Sequence, residues 1–173
     1  MQILKYEQIE ATFKPWNNIY LEVAKNLIDF ITTKDFEVIH IGSTSFMVGG
    51  KGIIDLSILY ENKDLDKAVS YIKSLGFQDQ ISENPFPKER PRKDGIIFFK
   101  NNKYIIHLHV IEKNSKEHEK QLKYKEYMLS NPKAREEYEK TKLYILNKGI
   151  TNQEIYGKEK SPFVKSILSK IDI

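Results

Sequence analysis

Two runs separated by a glycine-rich span decide the fold: Glu37-Val38-Ile39-His40-Ile41-Gly42-Ser43-Thr44, then Gly52-Ile53-Ile54-Asp55-Leu56-Ser57-Ile58-Leu59-Tyr60. The first reads as a short β-branched strand that Gly42 ends. The second is nearly all apolar, as suits a central strand covered on both faces. Alternation puts Ile54, Leu56, Ile58 and Tyr60 on one face and Ile53, Asp55, Ser57 and Leu59 on the other. Ser43 to Val48 reads as a helical turn, and Gly49, Gly50 and Gly52 make the approach to the second strand pliable. A strand, a glycine turn with hydroxyls and a strand carrying a carboxylate suit a phosphate held beside a metal ion. The glycine admits the phosphate to the backbone, Ser43 and neighbouring N–H groups bind its oxygens, and Asp55 anchors a divalent cation, Mg²⁺ or Mn²⁺. A carboxylate inside an apolar strand is costly unless it is paired or metal-bound.

On the N-terminal side, Pro15 suits a first helical position, and Trp16, Ile19, Val23, Leu27 and Phe30 recur at helical spacing. This is a packing helix, with Trp16 in the core. On the C-terminal side, Leu65, Ala68, Val69, Ile72 and Leu75 form an amphipathic helix, with Asn62 or Asp64 as cap and Gly76 as stop. Phe77 to Ile81 reads as a brief strand and Ser82 to Asp94, with its three prolines, as one irregular segment. Ile96–Phe99 and Tyr104–Ile111 then read as a hairpin across Asn101-Asn102. In its second strand His107 and His109 face one way. If both apolar faces pack on the same helices, the two histidines share the open side of the sheet with Asp55.

From Ser115 the chain turns helical, with a stop at Asn131-Pro132, another at Gly149 and a terminal helix opened by Ser161-Pro162. The expected class is α+β: a mixed sheet with helices on one face and a C-terminal helical extension. One domain is expected over residues 1–173, with a sheet core over about 37–111 and helices over about 115–173.

Composition narrows the functions. With 40% hydrophobic and 12% aromatic residues the chain reads as globular, and with no cysteine it has neither disulfide nor thiolate metal site. No apolar run reaches membrane-spanning length, and Met1 to Glu10 lacks the order of a signal peptide, so a soluble cytoplasmic protein is expected. The net charge of +4 is almost all lysine, the arginines being Arg90, Arg92 and Arg135. Nucleic-acid sites draw on arginine for its planar fork, so a solvated lysine surface fits better than RNA binding.

Two-metal transfer needs further carboxylates, two residues along the strand and on a neighbouring strand. Ser57 holds the first place, and His107 and His109 are nearest to the second. A neutral imidazole suits Zn²⁺, Mn²⁺ or Fe²⁺ better than Mg²⁺. A one-metal site of Asp55, His107 and His109 therefore stays open beside a purely structural reading of the histidines, as does a general-base role for one of them. His40 is placed to fix the glycine turn, and His118 reads as surface. Lys51, Arg90 and Arg92 are charges able to grip a phosphate or an acidic substrate, or simply solvated. The tyrosines and lysines of the last third (Tyr124, Tyr127, Tyr138, Lys142, Tyr156, Lys160) read as helix packing rather than a recognition stripe.

Taken together, these residues resemble the GrpB family of the nucleotidyltransferase superfamily, over nearly the whole length. Tyr6 with Trp16 is similar to the family's opening feature, and His40-Ile41-Gly42-Ser43-Thr44 to its His-Ile-Gly-Ser-Thr motif. Lys51 through Asp55 resembles Lys-Pro-Ile-Ile-Asp, with Gly52 for the proline. His107-Leu108-His109-Val110 looks like the late strand. Tyr124-Lys125-Glu126-Tyr127 stands where members show Phe-Arg-Asp-Tyr, and Tyr156, Lys160 and Phe163 fit the closing pattern. Phe46-Met47-Val48-Gly49 departs from the usual Val-Pro-Gly-Leu, and Lys125 lacks the bidentate fork of arginine.

The resemblance implies a nucleotidyltransferase-like core. With Arg90 added as an accessory charge, the expected ligand-binding set is Gly42, Ser43, Thr44, Lys51 and Lys125, with Asp55, His107 and His109 as catalytic or metal residues. Fusion of family members to dephospho-CoA kinase points towards nucleotide or coenzyme metabolism. Two functions follow as expectations. One is a metal-dependent nucleotidyl- or phosphoryl-transferase acting on a nucleotide or phosphorylated small molecule. The other, motivated by Ser57, is a degenerate module that binds such a ligand without turnover.

Overall fold

A computed structural model describes residues 1–10 and 12–171. Its strands are β1 (Glu37–Ile41), β2 (Ile54–Tyr60), β3 (Gln78–Asp79), β4 (Arg92–Phe99) and β5 (Asn102–Glu112). They form one sheet in the order β1-β2-β5-β4-β3. β2 and β5 lie at its centre and run parallel, and the other pairings are antiparallel. The helices are α1 (Ile19–Ile31), α2 (Gly42–Ser45), α3 (Leu65–Ser74), α4 (Lys116–Ser130), α5 (Pro132–Asn147) and α6 (Gln153–Leu168). Among the described residues no helix is long and apolar enough to cross a membrane.

The alternation of β2 and β5 determines what lies on each side. Ile54, Leu56 and Ile58 join Ile106, Leu108 and Val110 in one core with Val23, Leu27 and Ile31 of α1 and Ala68 and Ile72 of α3. The opposite face is half covered by α4–α6. A second core holds Phe46 and Val48, which follow α2, together with Met128, Ala134, Tyr138 and Ile167. A cleft is left between these helices and the rest of the sheet.

Several boundaries differ from expectation, each for a local reason. α1 starts at Ile19, well after Pro15, where Asn17 Oδ1 accepts the Ile19 N–H at 2.9 Å. The presumed loop to Asp94 ends earlier. Arg92 to Asp94 already belong to β4, paired with β5 from Arg92↔His109 onward. β3 shrinks to two residues because only Gln78 and Asp79 find partners on β4. The hairpin turn is Lys100-Asn101, not Asn101-Asn102, with φ of 47° and 64°, the positive pair of a two-residue turn. Ser161-Pro162 lies inside α6, which begins where Asn152 Oδ1 accepts the Glu154 and Ile155 N–H groups at 3.0 and 3.1 Å. The interior proline costs about 3 kcal/mol, offset in part by Phe163 stacking on Tyr138 at 4.7 Å. His118 is buried rather than on the surface: its Nδ1 accepts the Asn114 N–H at 3.0 Å.

Candidate functional site

Ile41 is paired with Asp55, so the turn that follows β1 lies directly over that carboxylate. Gly42 has φ +70°, and a Cβ there would lie 2.6 Å from Asp55 Oδ2 and 2.9 Å from Asp55 Cβ. Only glycine permits both this conformation and this approach. Parallel pairing sets Asp55 beside His107 and Ser57 beside His109. All of these residues point to the cleft side, as alternation predicts. His107 Nδ1 is 3.5 Å and His109 Nε2 3.7 Å from Asp55 Oδ1. Burial pushes the Asp55 carboxyl up, but the two imidazoles outweigh it and hold the group well below the ordinary carboxylate range. Burial lowers His107, against the pull of Asp55, so a neutral imidazole faces an ionised Asp55.

Ser57 is fully buried, and its hydroxyl donates to Gln121 Oε1 of α4 at 2.8 Å. The place of a second strand carboxylate is thus packed under a helix. A different carboxylate, unforeseen from sequence, stands across β5. Asp94 pairs with His107 in register, is fully buried and receives Arg92 in a fork of 2.8 and 2.9 Å. His107 Nε2 lies 4.0 Å from Asp94 Oδ1 and has no hydrogen-bond partner among the described residues. Among the described residues no group of three or more His, Asp or Glu is disposed to hold a metal ion. Asp55, His107 and His109 converge without forming a preformed cage.

The turn itself is braced from behind. Trp16 Nε1 donates to the Thr44 carbonyl at 2.9 Å and Lys125 Nζ to the His40 carbonyl at 2.8 Å. Thr44 Oγ1 donates to the Ile53 carbonyl at 3.4 Å, so it accepts from His40 Nε2 at 2.9 Å. Thr44 is therefore a buried brace and not a cleft residue, whereas Ser43 does line the cleft. Burial, with Lys125 nearby, lowers His40 to about 4, against the opposing pull of Asp55. A depressed histidine favours the fold while neutral. This contribution is complete above the ordinary value of 6.5 and is lost as pH falls towards 4. Stability should drop by up to about 3 kcal/mol over that interval. Denaturant midpoints measured from pH 7.5 to 4.5 should show the drop in wild type and a shallower one in His40→Gln.

The cleft, of about 760 Å³, is lined by Asp55 and by four basic side chains, Lys51, Arg92, Lys142 and Lys160. Lys51 Nζ donates to Gln153 Oε1 and sits 4.5 Å from the Tyr156 ring centre. Burial first, and then Lys160, bring it down to about 7. Lys142 is 3% exposed, donates to the Gly49 carbonyl at 3.2 Å and lies 4.2 Å from the Tyr138 ring centre. Burial, reinforced by Lys160, holds it well below the usual lysine range. Phe86 covers one end, edge-on to His109 at 5.0 Å.

Arg90 lies outside the cleft lining, and Arg92 stands there instead. Lys125 lines an adjoining cavity of about 240 Å³. Lys142 and Lys160 had read as packing residues. Nothing in the sequence marks Lys142 as buried, and the all-charged Arg92-Lys93-Asp94 run has no alternation to mark Asp94.

The family described as GrpB protein matches residues 8–170. The UPF0157 protein BH1888 of Halalkalibacterium halodurans is 25% identical over 157 residues, covering 90% of this chain and 77% of that protein. Among solved structures, the Cid1 poly(U) polymerase with Mg and 3′-dATP bound superposes with a TM-score of 0.57 at 13% identity. The match covers 85% of this chain and 49% of that one. A second Cid1 structure, described for its RNA terminal uridylyl transferase activity, gives 0.54 at 15% identity, with 81% and 43% covered. The chain thus spans about half of those structures or less. At such identities the likeness shows the fold alone, and that fold is the nucleotidyltransferase one.

Proposed function

The chain belongs to the GrpB family, and from that premise we propose that the cleft binds the phosphates of a nucleotide or phosphorylated small molecule and transfers a nucleotidyl or phosphoryl group from it. One observation carries the reading: Asp55 lies under the Gly42-Ser43 turn and shares its cleft with Lys51, Lys142 and Lys160, the first two of which have lost basicity through burial and the charge of Lys160. Such lysines gain most from a polyanion, which restores the charge that burial penalises. Ser43 and the turn would hold phosphate oxygens, together with Lys51, Lys142 and Lys160. A divalent cation fits here as a companion of the ligand, since Mg²⁺ sites commonly use one or two carboxylates plus substrate phosphates rather than an all-protein cage. Asp55 would be the protein's contribution, and the ion would neutralise charge on the phosphates. His107, neutral and beside Asp55, or His109 would accept a proton from an acceptor hydroxyl.

Calorimetry with ATP, GTP, CTP and UTP, in Mg²⁺ or Mn²⁺, tests this reading. At least one nucleotide should bind wild type, and Asp55→Ala should weaken it about tenfold or more when metal is present. Absence of binding to wild type, or equal binding by the variant, sinks the idea. Ser57, packed beneath α4, favours the second reading, a binding module without turnover. Pyrophosphate or phosphate release from a bound nucleotide would eliminate that module, and a ligand that survives every metal tried would support it.

A further inference from the structure

The smaller cavity adjoins the basic cleft, and Ser43, Asp55 and Lys160 line both. Its character is different. Phe46 and Tyr138 bring aromatic surface, Val164 and Leu168 close the α6 side, and Tyr124 stands between them. The Tyr124 ring is 5.9 Å from that of Phe46, and its hydroxyl is buried with no hydrogen-bond partner among the described residues. An unpaired hydroxyl in such a place costs about 1–3 kcal/mol, which a ligand atom could recover. Lys120, Lys125 and Lys160, all donors, also line the cavity, and so does Gln121. Its oxygen is already taken by Ser57, so what it has left to offer are amide hydrogens. The cavity thus has apolar aromatic walls and hydrogen-bond donors seeking an acceptor.

We propose that this cavity receives the planar heterocycle of the same ligand whose phosphates lie in the basic cleft, with a ring carbonyl or ring nitrogen accepting from Tyr124. The inference rests on the phosphate-binding reading above and narrows its ligand from any phosphorylated molecule to a nucleotide-like one. The waist at Ser43 and Asp55 then separates the basic cleft from an end whose walls are mainly aromatic and aliphatic, with lysines at its rim. Burial keeps the Tyr124 phenol protonated, as a donor must be.

The test compares tripolyphosphate, which has the charged end and no ring, with ATP, GTP, CTP and UTP, each titrated calorimetrically into the whole chain with Mg²⁺. At least one nucleotide should bind about tenfold or more tightly than tripolyphosphate. Tyr124→Phe should lower that nucleotide's affinity about fivefold, and Leu168→Trp, which fills the cavity, should lower it further. Neither should change tripolyphosphate binding. Thermal melts confirm that each variant is folded, and Tyr124→Phe, which removes one oxygen, carries the test if Leu168→Trp does not fold. If tripolyphosphate binds as tightly as all four nucleotides, or if Tyr124→Phe leaves nucleotide affinity unchanged or weakens both ligands equally, the ring subsite is overturned and the phosphate site stands. If neither kind of ligand binds, both fall.

Discussion

Gly42→Ala should lower stability by about 3 kcal/mol and the melting temperature by about 10 °C, and it should abolish ligand binding in whatever fraction still folds. Two costs combine. An L-residue at φ +70° is strained, and its methyl would overlap the Asp55 carboxylate, with nothing flexible to yield but that side chain. If Asp55 moves aside, it leaves the histidines at 3.5 and 3.7 Å and its own place beneath Ser43. A double-mutant cycle separates the two costs. Asp55→Ala in the Gly42→Ala background should recover the overlap with Oδ2 and leave the backbone portion together with the 2.9 Å contact to Cβ. Full additivity of the two losses would show that the turn does not press on Asp55.

Lys142→Met should weaken tripolyphosphate binding about 10- to 100-fold, the usual loss for a charge-assisted contact removed from a buried site. The same substitution should make the protein more stable at neutral pH. A buried lysine whose value is depressed gives the unfolded chain the larger proton uptake, so wild-type stability rises with pH between the lowered and ordinary lysine values. Lys142→Met should flatten that rise. Opposite signs for stability and binding are what a ligand-directed lysine produces, and a merely structural one would lose stability. Lys51 adds a pH signature to binding. Above about 7 it gives up its proton, and polyanion affinity should fall by about tenfold or more from pH 6.5 to 8.5. In Lys51→Arg, which keeps its charge, this fall should shrink. Melting curves and titrations across that pH range check both statements.

The face carrying Asp55, His107 and His109 was legible because strand alternation is a backbone property, and the apolar runs of β2 and β5 leave no other register. Gly42 was legible for a similar reason, as a glycine between a strand and hydroxyls. Asp94 was not, because Arg92-Lys93-Asp94-Gly95 has no apolar pattern and follows three prolines. It becomes strand only through its pairing with β5. Lys142 and Lys160 escaped for a different reason. A lysine on a helix reads as solvated, and its burial depends on where α5 and α6 dock, which no local pattern encodes. Ser161-Pro162 looked like a helix start because it has the chemistry of one. The better cap at Asn152 and the Tyr138–Phe163 stack carry the helix through it.

The parallel pairing of β2 with β5 also bears on how this cleft comes into being. Ile54 meets Ile106 about fifty residues later, so that pair closes only against the entropy of a long loop. Lys142 and Lys160 arrive later still along the chain. A ribosome-bound fragment therefore has the glycine turn and Asp55 before it has the lysines that share their cleft. If contacts across the cleft form after the folding transition state, a bound ligand prolongs the lifetime of the native protein and does little to hasten its formation.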